Sequence, residues 1–276
     1  MYDFHTHLNC PDLFVEWRKL LEMFVKVWWQ WLVNIWVNDE YNKNGIDIAY
    51  ESSSLYPDLE VLATIGYHPC NIPSIPRRIK DADSDLLSLV VWLESLYTKH
   101  SHVIVWIGEC GIDLHYPDNP PLEDQCLYFE AQCLLAQKLH LPIIVHTRSA
   151  RAETMRIAQK FPNCTFYFHC WSYGPEETQK TLELIPGCFI GYTGNITYKK
   201  ADDIRQSCLL TPIEQCVLET DAPYLSPQLV RKQQNQPAFV AHTYDFVAEL
   251  RWITLEELVS HMQDNWRTLY KTLPKM

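Results

Sequence analysis

Short apolar runs alternate along the chain with longer amphipathic stretches. The short runs predict strands at Tyr2–His5, Leu32–Val37, Val61–Ile65, Val103–Ile107, Pro142–Val145, Thr165–Phe168, Gly187–Ile190 and Cys216–Leu218. Apolar residues at helical spacing predict helices at Asp83–Lys99, Leu122–His140, Ala152–Phe161, Pro175–Leu184, Ala238–Leu250 and Leu255–Tyr270. Thr254-Leu-Glu-Glu257 has the spacing of a capping box, which sets a helix start there. Pro142 follows a long helical pattern and opens a strand, where a missing backbone donor is tolerated. The pattern is weakest between Pro11 and Leu59. Eight short strands alternating with helices predict an α/β fold, a (β/α)8 TIM barrel that tolerates some distortion. An open doubly wound sheet is the alternative.

The length of 276 residues fits one barrel domain over 1–276, with no low-complexity linker to divide it. Composition is ordinary for a globular chain, with 47% apolar and 21% charged residues. A formal charge of −11 argues against a broadly basic nucleic-acid-binding face, leaving room for a local cationic patch or for bound metal ions. The most apolar stretch, Met23 to Val37, contains Lys26, Gln30 and Asn34 and falls short of the roughly 20 apolar residues of a membrane span. The opening Met-Tyr-Asp-Phe-His lacks the basic and apolar regions of a signal peptide. Ten cysteines without a CxxC pair therefore read as reduced packing thiols of a cytoplasmic protein.

The candidate chemistry sits at strand ends. His5 and His7 close the first strand, and on an extended segment residues i and i+2 face one side, so two imidazoles can grip one ion. Glu109, His146, His169 and Asp221 hold the same place after strands four, five, six and eight. In a barrel those C-terminal ends converge on one mouth. Six metal-capable side chains there point to a metal centre rather than to isolated polar residues. Four imidazoles and two carboxylates exceed one tetrahedral zinc site. They suit two divalent ions sharing a carboxylate, an arrangement that activates water in phosphoester hydrolysis. Mixed nitrogen and oxygen donors leave the metal open among Mg, Mn, Zn and Fe.

Seven runs occur in a telling order: DFHTHL (3–8), IGYHPC (65–70), IGECGID (107–113), QCLYFEAQCLLAQKLHLPIIVHTR (125–148), FHCWSYG (168–174), TGNITYKKADDIR (193–205) and LETDAPYLSP (218–227). Together they resemble the TatD-type metal-dependent deoxyribonucleases of the amidohydrolase superfamily, from the N-terminus to about Tyr270. ETDAPYL combined with GECGID is the specific part; HxH alone is not. The resemblance implies a barrel with a two-metal site. His5, His7, Glu109 and Asp221 would bind one ion; Glu109, His146 and His169 would bind the other, with Glu109 bridging. His68, in the GYHP run, would face the substrate phosphate, and Asp221 would orient or deprotonate the attacking water. The implied activity is hydrolysis of DNA phosphodiesters, as a 3′–5′ exonuclease on single-stranded ends. Some family members deacylate D-aminoacyl-tRNA, which keeps an ester of aminoacyl-tRNA as the alternative substrate. A non-catalytic binding barrel is the third reading.

Three departures mark this chain. Phe4 replaces a small residue between Asp3 and His5, at a position expected to point away from the site. The HCFSG run of the family becomes His-Cys-Trp-Ser-Tyr-Gly, expected to reshape the groove wall beside His169. An Asn-Glu-Pro run becomes Asn235-Gln236-Pro237, which removes one acid. Arg148, two residues beyond His146, is read as a phosphate contact. Lys199 and Lys200 follow the seventh strand, a phosphate-binding region of many barrels, and read equally as a solvated pair. Asp113 and Tyr116, just beyond Glu109, are placed to hydrogen-bond the ligands or to shape the loop. His100, His102, His115, His140, His242 and His261 match no ligand motif.

One inversion remains. Glycine occurs 8 times and tryptophan 10 times, where average usage would give roughly 19 glycines. Trp28, Trp29, Trp31, Trp36, Trp106 and Trp252 stand where glycine is expected, Trp252 most clearly, between a helix end and the next helix start. Such a set arises when a gene that reads UGA as glycine is translated with UGA as tryptophan. A chain with unusually many packed indoles is the plain alternative.

Overall fold

The computed structural model describes residues 1–26, 30–35, 37–72 and 82–271. Trp28, Trp29 and Trp36 lie outside them. The elements run β1 (Tyr2–Thr6), α1 (Pro11–Phe14), α2 (Trp17–Lys26), β2 (Trp31–Asn34), α3 (Asp39–Leu55), β3 (Glu60–Ile65), α4 (Ala82–His100), β4 (Ile104–Asp113), α5 (Leu122–Leu139), β5 (Ile143–Arg148), α6 (Arg151–Ala158), β6 (Phe166–Phe168), α7 (Pro175–Leu184), β7 (Phe189–Tyr192), α8 (Asp202–Leu210), β8 (Cys216–Leu218), α9 (Val240–Arg251) and α10 (Leu255–Lys271). All eight strands pair in parallel in sequence order, the arrangement of a (β/α)8 barrel.

Closure of the ring excludes the open sheet. The ends of β1 and β8 meet through a parallel bridge between Thr6 and Ala222. His7 N donates to Ala222 O at 2.8 Å, and Asp221 N donates to His5 O at 2.9 Å. Below that bridge a side chain takes over from backbone pairing. The buried Asp3 carboxylate accepts from Thr220 N at 2.9 Å and from Thr220 Oγ1 at 2.7 Å. This carboxylate clasp joins the two ends of the chain's sheet.

Every expected strand and helix is present, Cys216–Leu218 and Pro175–Leu184 with the expected bounds and the others with shifted ends. β4 runs on from Ile107 to Asp113, while β2 stops at Asn34. β7 begins at Phe189 because Gly187, with φ of 79°, still belongs to the turn before it. The capping box forms as expected: Thr254 N donates to Glu257 Oε2 at 2.8 Å, and Glu257 N to Thr254 Oγ1 at 3.1 Å. α1, α2, α3 and α8 lie outside the expected helices, although α2 buries Trp17, Leu20, Leu21 and Phe24 at regular helical spacing. α3 carries Gly45 in its interior and a largely polar run, so its helical character comes from packing against β3 rather than from propensity.

The strands are lined with buried apolar side chains, and the helices packed on them bury the rest. Phe4 is fully buried with its ring edge on Trp266 of α10 at 5.7 Å, away from the imidazoles beside it in sequence. Trp31 and Trp106 join the same aromatic cluster, 5.1 and 5.6 Å from the Trp266 ring. All ten cysteines carry free thiols, most of them buried. No helix among the described residues is long and apolar enough to cross a membrane.

Candidate metal centre

Each candidate arrives on a strand end, and the backbone is shaped to let them meet. β4 and β5 close up tightly where Glu109 and His146 emerge. At Gly111, with φ of 136°, a Cβ would lie 2.0 Å from His146 O; at Gly108, with φ of 127°, it would lie 2.6 Å from Ile144 O. Only glycine permits both the conformation and the approach.

Glu109 is the hub. Its Oε2 lies 3.4 Å from His5 Nε2 and 3.8 Å from His7 Nε2, and Asp221 Oδ1 lies 3.6 and 3.3 Å from the same two nitrogens. Its other oxygen, Oε1, lies 2.7 Å from His169 Nε2, 3.0 Å from His146 Nδ1 and 3.5 Å from His68 Nε2. One carboxylate thus faces two lobes of donors. All six side chains expected at the mouth are there, together with His68. Arg148 stands at the rim instead, its Nη1 donating to Tyr116 Oη at 3.2 Å. Lys199 and Lys200 are exposed. None of the six histidines without a ligand motif joins the Glu109 cluster; His100, for example, pairs its Nδ1 with the Tyr50 hydroxyl at 2.9 Å.

The donor set fits divalent ions. His5 Nε2 and His7 Nε2 stand 3.1 Å apart, and His146 Nδ1 and His169 Nε2 stand 3.3 Å apart. Imidazole nitrogens this close can converge on a shared cation once their protons are displaced. Two triads have ligand-type atoms within 4.8 Å of one another on the two sides of Glu109: His5, His7 and Glu109, and His68, Glu109 and His146, the second including the His68 ring, whose tautomer the Cys70 amide sets. A third, His5, His169 and Glu219, reaches below them.

Charge follows the same division. Burial works against ionising Glu109, but the imidazoles of His169 and His68 outweigh it and hold its pKa well below the ordinary carboxylate value. Asp221 is likewise buried and likewise held low, by the His7 hydrogen bond and by His5. Burial keeps His5 and His68 neutral, with pKa values lowered to about 3. For His146 burial is overcome by hydrogen bonds to Asp113 and Glu109, which raise its pKa to about 9. His68 Nδ1 accepts from Cys70 N at 3.1 Å. In a neutral ring this puts the proton on Nε2, so His68 presents a donor to the site rather than a lone pair.

A family model described as TatD related DNase matches residues 2–271. The chain belongs to the TatD-related DNase family. This is a metal-dependent hydrolase family. Among curated relatives, the Escherichia coli (strain K12) uncharacterized metal-dependent hydrolase YcfH is 33% identical over 170 residues, 60% of this chain. That match spans 63% of the length of YcfH. The Klebsiella pneumoniae (strain 342) 3′-5′ ssDNA/RNA exonuclease TatD is 32% identical over 187 residues, 64% of this chain and 69% of the relative. An uncharacterized amidohydrolase from Saccharomyces cerevisiae has the same fold, with a TM-score of 0.86 at 19% identity, covering 98% of this chain and 99% of its own.

Against that family background one expected departure moves. Trp171 does not line a groove beside His169. It is fully buried, and its Nε1 donates to Thr178 Oγ1 of α7 at 2.7 Å. The extra bulk is absorbed beneath the strand ends. Asn235, next to the missing acid, stays buried and donates from Nδ2 to Thr220 O at 2.8 Å and to Tyr224 O, pinning the backbone on either side of Asp221.

Sequence reasoning missed the residues that hold this TatD-family site in place. Asp3, two residues before His5, carries no ligand spacing of its own. Glu219 is fully buried; it accepts from Cys170 N at 2.6 Å and from the Tyr167 hydroxyl, and lies 3.7 Å from His169 Nδ1. Two amides of α5 act alike: Gln125 bonds Asp113 N at 2.8 Å, and Gln132 bonds Tyr67 N at 2.7 Å, each next to a site residue. Their spacing of seven on a helix was the available signal, two buried amides on one face.

Proposed function

We propose that the chain hydrolyses phosphodiester bonds of nucleic acid with two divalent ions, as a 3′–5′ exonuclease on single-stranded DNA ends. The observation that carries this reading is the two-lobed arrangement around Glu109, with His5, His7 and Asp221 on one side and His146 and His169 on the other. Such paired sites serve in-line displacement at phosphorus. The printed function of the Klebsiella relative, an ssDNA/RNA exonuclease, supports the substrate class.

His5, His7, Glu109 and Asp221 would hold one ion, and Glu109, His146 and His169 the other. Bound there, the ions would supply Lewis acidity and a lowered pKa for water. The chain's own residues do the rest. Asp221, held ionised, orients the attacking water and accepts its proton. His68 donates from Nε2 to a phosphate oxygen, its orientation fixed by the Cys70 amide. Asp113 accepts from His146 Nε2 at 3.0 Å, which aims the opposite nitrogen at Glu109. Arg148 meets the phosphate from the rim.

Incubation with end-labelled single-stranded DNA and Mg, Mn or Zn is expected to release mononucleotides, and EDTA to stop it. No product with any of the metals sinks the reading. Faster cleavage of D-aminoacyl-tRNA at equal enzyme concentration moves the same site to an ester. Asp221→Asn is expected to lower turnover at least about a hundredfold. Unchanged activity in that variant points to a non-catalytic barrel.

A further inference from the structure

Three tyrosines leave their rings at the mouth of the barrel. Tyr224, three residues after Asp221, is 57% exposed, and its ring centre lies 6.2 Å from that of His7. Tyr116, in the loop after β4, is 51% exposed and carries the Arg148 guanidinium 5.0 Å from its ring centre. Tyr198, in the loop after β7, carries Arg231 at 3.8 Å. These loops all follow C-terminal strand ends, so the rings share one rim. Among the described residues neither Arg148 nor Arg231 forms an ion pair with a carboxylate, although the chain carries 34 acidic residues. The backbone under Tyr224 is fixed on both sides, since Tyr224 N donates to Asp221 O at 2.9 Å and Tyr224 O accepts from Asn235.

A tyrosine face flanked by an unpaired guanidinium offers two things at once, a π surface and a cation. Unpaired bases and their phosphates ask for both. A duplex stacks its bases on one another and cannot present them to such a ring. We propose that the rim is a stacking platform for a single strand: Tyr224 takes the base at the reacting end, and the Arg148–Tyr116 and Arg231–Tyr198 pairs hold the nucleotides that follow. The proposal rests on the nuclease reading and names how that site selects its substrate.

The purified full-length protein is titrated, in Ca2+, with fluorescent oligonucleotides of equal length: oligo(dT), an abasic strand and a duplex. Base stacking is expected to make oligo(dT) bind at least about tenfold more tightly than the abasic strand, which keeps every phosphate. The duplex is expected to bind no better than the abasic strand. Tyr224→Leu is expected to shrink the gap between oligo(dT) and abasic strand severalfold. Arg231→Gln is expected to weaken all three ligands and flatten their salt dependence. Equal affinity for oligo(dT) and the abasic strand overturns the platform, and if DNA is still cleaved the nuclease reading stands. Absence of both binding and cleavage overturns both.

A different observation bears on the chain's coding. Trp252 closes α9 in the left-handed region, with φ of 56° and ψ of 39°, and its side chain is 95% exposed. Trp252 N donates to Glu249 O at 3.2 Å and Ile253 N to Ala248 O at 3.1 Å, the hydrogen-bond pattern of a helix stop that favours glycine. The indole thus has strained backbone and almost no packing to justify it. Trp106, fully buried, leaves its indole N–H without a hydrogen-bond partner among the described residues. We infer that codon 252 is UGA and that the source reads it as glycine. Sequencing the gene is expected to show UGA at codon 252, and a tryptic peptide from source cells to carry glycine there. UGG at codon 252, or tryptophan in the peptide, overturns it.

Discussion

At the scale of single residues the site is a problem in protons. In the metal-free chain His146 holds a proton up to about pH 9, because Asp113 and Glu109 both favour its charged form over the opposing effect of burial. A metal must displace that proton, so affinity rises with pH, about tenfold per unit, and levels off near pH 9. Titration calorimetry in buffers of different ionisation enthalpy checks this through the protons released. Asp113→Asn removes the main support for the charge and is expected to move the plateau to lower pH. Trp252 gives a second residue-scale outcome. Trp252→Gly relieves a left-handed conformation and is expected to raise stability by about 1 kcal/mol, read as a higher denaturant midpoint. The candidate side chains gathered at the mouth were legible in the sequence because each follows an apolar run. Asp3 and Glu219 were not, since a buried carboxylate that only receives hydrogen bonds leaves no periodic trace.

At the scale of elements, regular strands were readable and their ends were not. β4 outruns its apolar core by six residues' worth of glycine-dependent contact with β5, from Gly108 to Asp113, and nothing in hydrophobic periodicity announces it. α3 was obscure for a related reason: it is held by what it packs on. α5 does more than cover the sheet. Its Gln132 fixes the Tyr67 backbone through both amide atoms, at 2.7 and 3.3 Å, and so sets His68. Gln132→Ala is expected to cost about 1–3 kcal/mol and to lower turnover of DNA. Gln132→Glu keeps the acceptor while losing the donor, and is expected to recover part of both. The capping box of α10 is a simpler test. Thr254→Ala is expected to cost about 1 kcal/mol with the site unaffected.

For the molecule as a whole, the proposed nuclease activity would require an acidic chain to bind an acidic polymer. Net charge of −11 opposes DNA, while the cations at the rim are few, so binding is expected to be weak, independent of sequence and steeply weakened by salt. Two or three phosphate contacts give a slope of log K against log salt near −2, measurable by fluorescence titration. Stripping divalent ions with EDTA is expected to lower the melting temperature, because ions that bind only the folded chain stabilise it. The barrel and its mouth were legible in the order of strands and motifs; the rim was not, because exposed tyrosines have no pattern of their own.

The clasp between Asp3 and Thr220 joins residues 217 positions apart. A ribosome must therefore release nearly the whole barrel before the first histidines meet Asp221. Until then the nascent chain carries scattered imidazoles and no cage. A message truncated before β8 yields a polypeptide that lacks Asp221 and so cannot complete the cluster around Glu109.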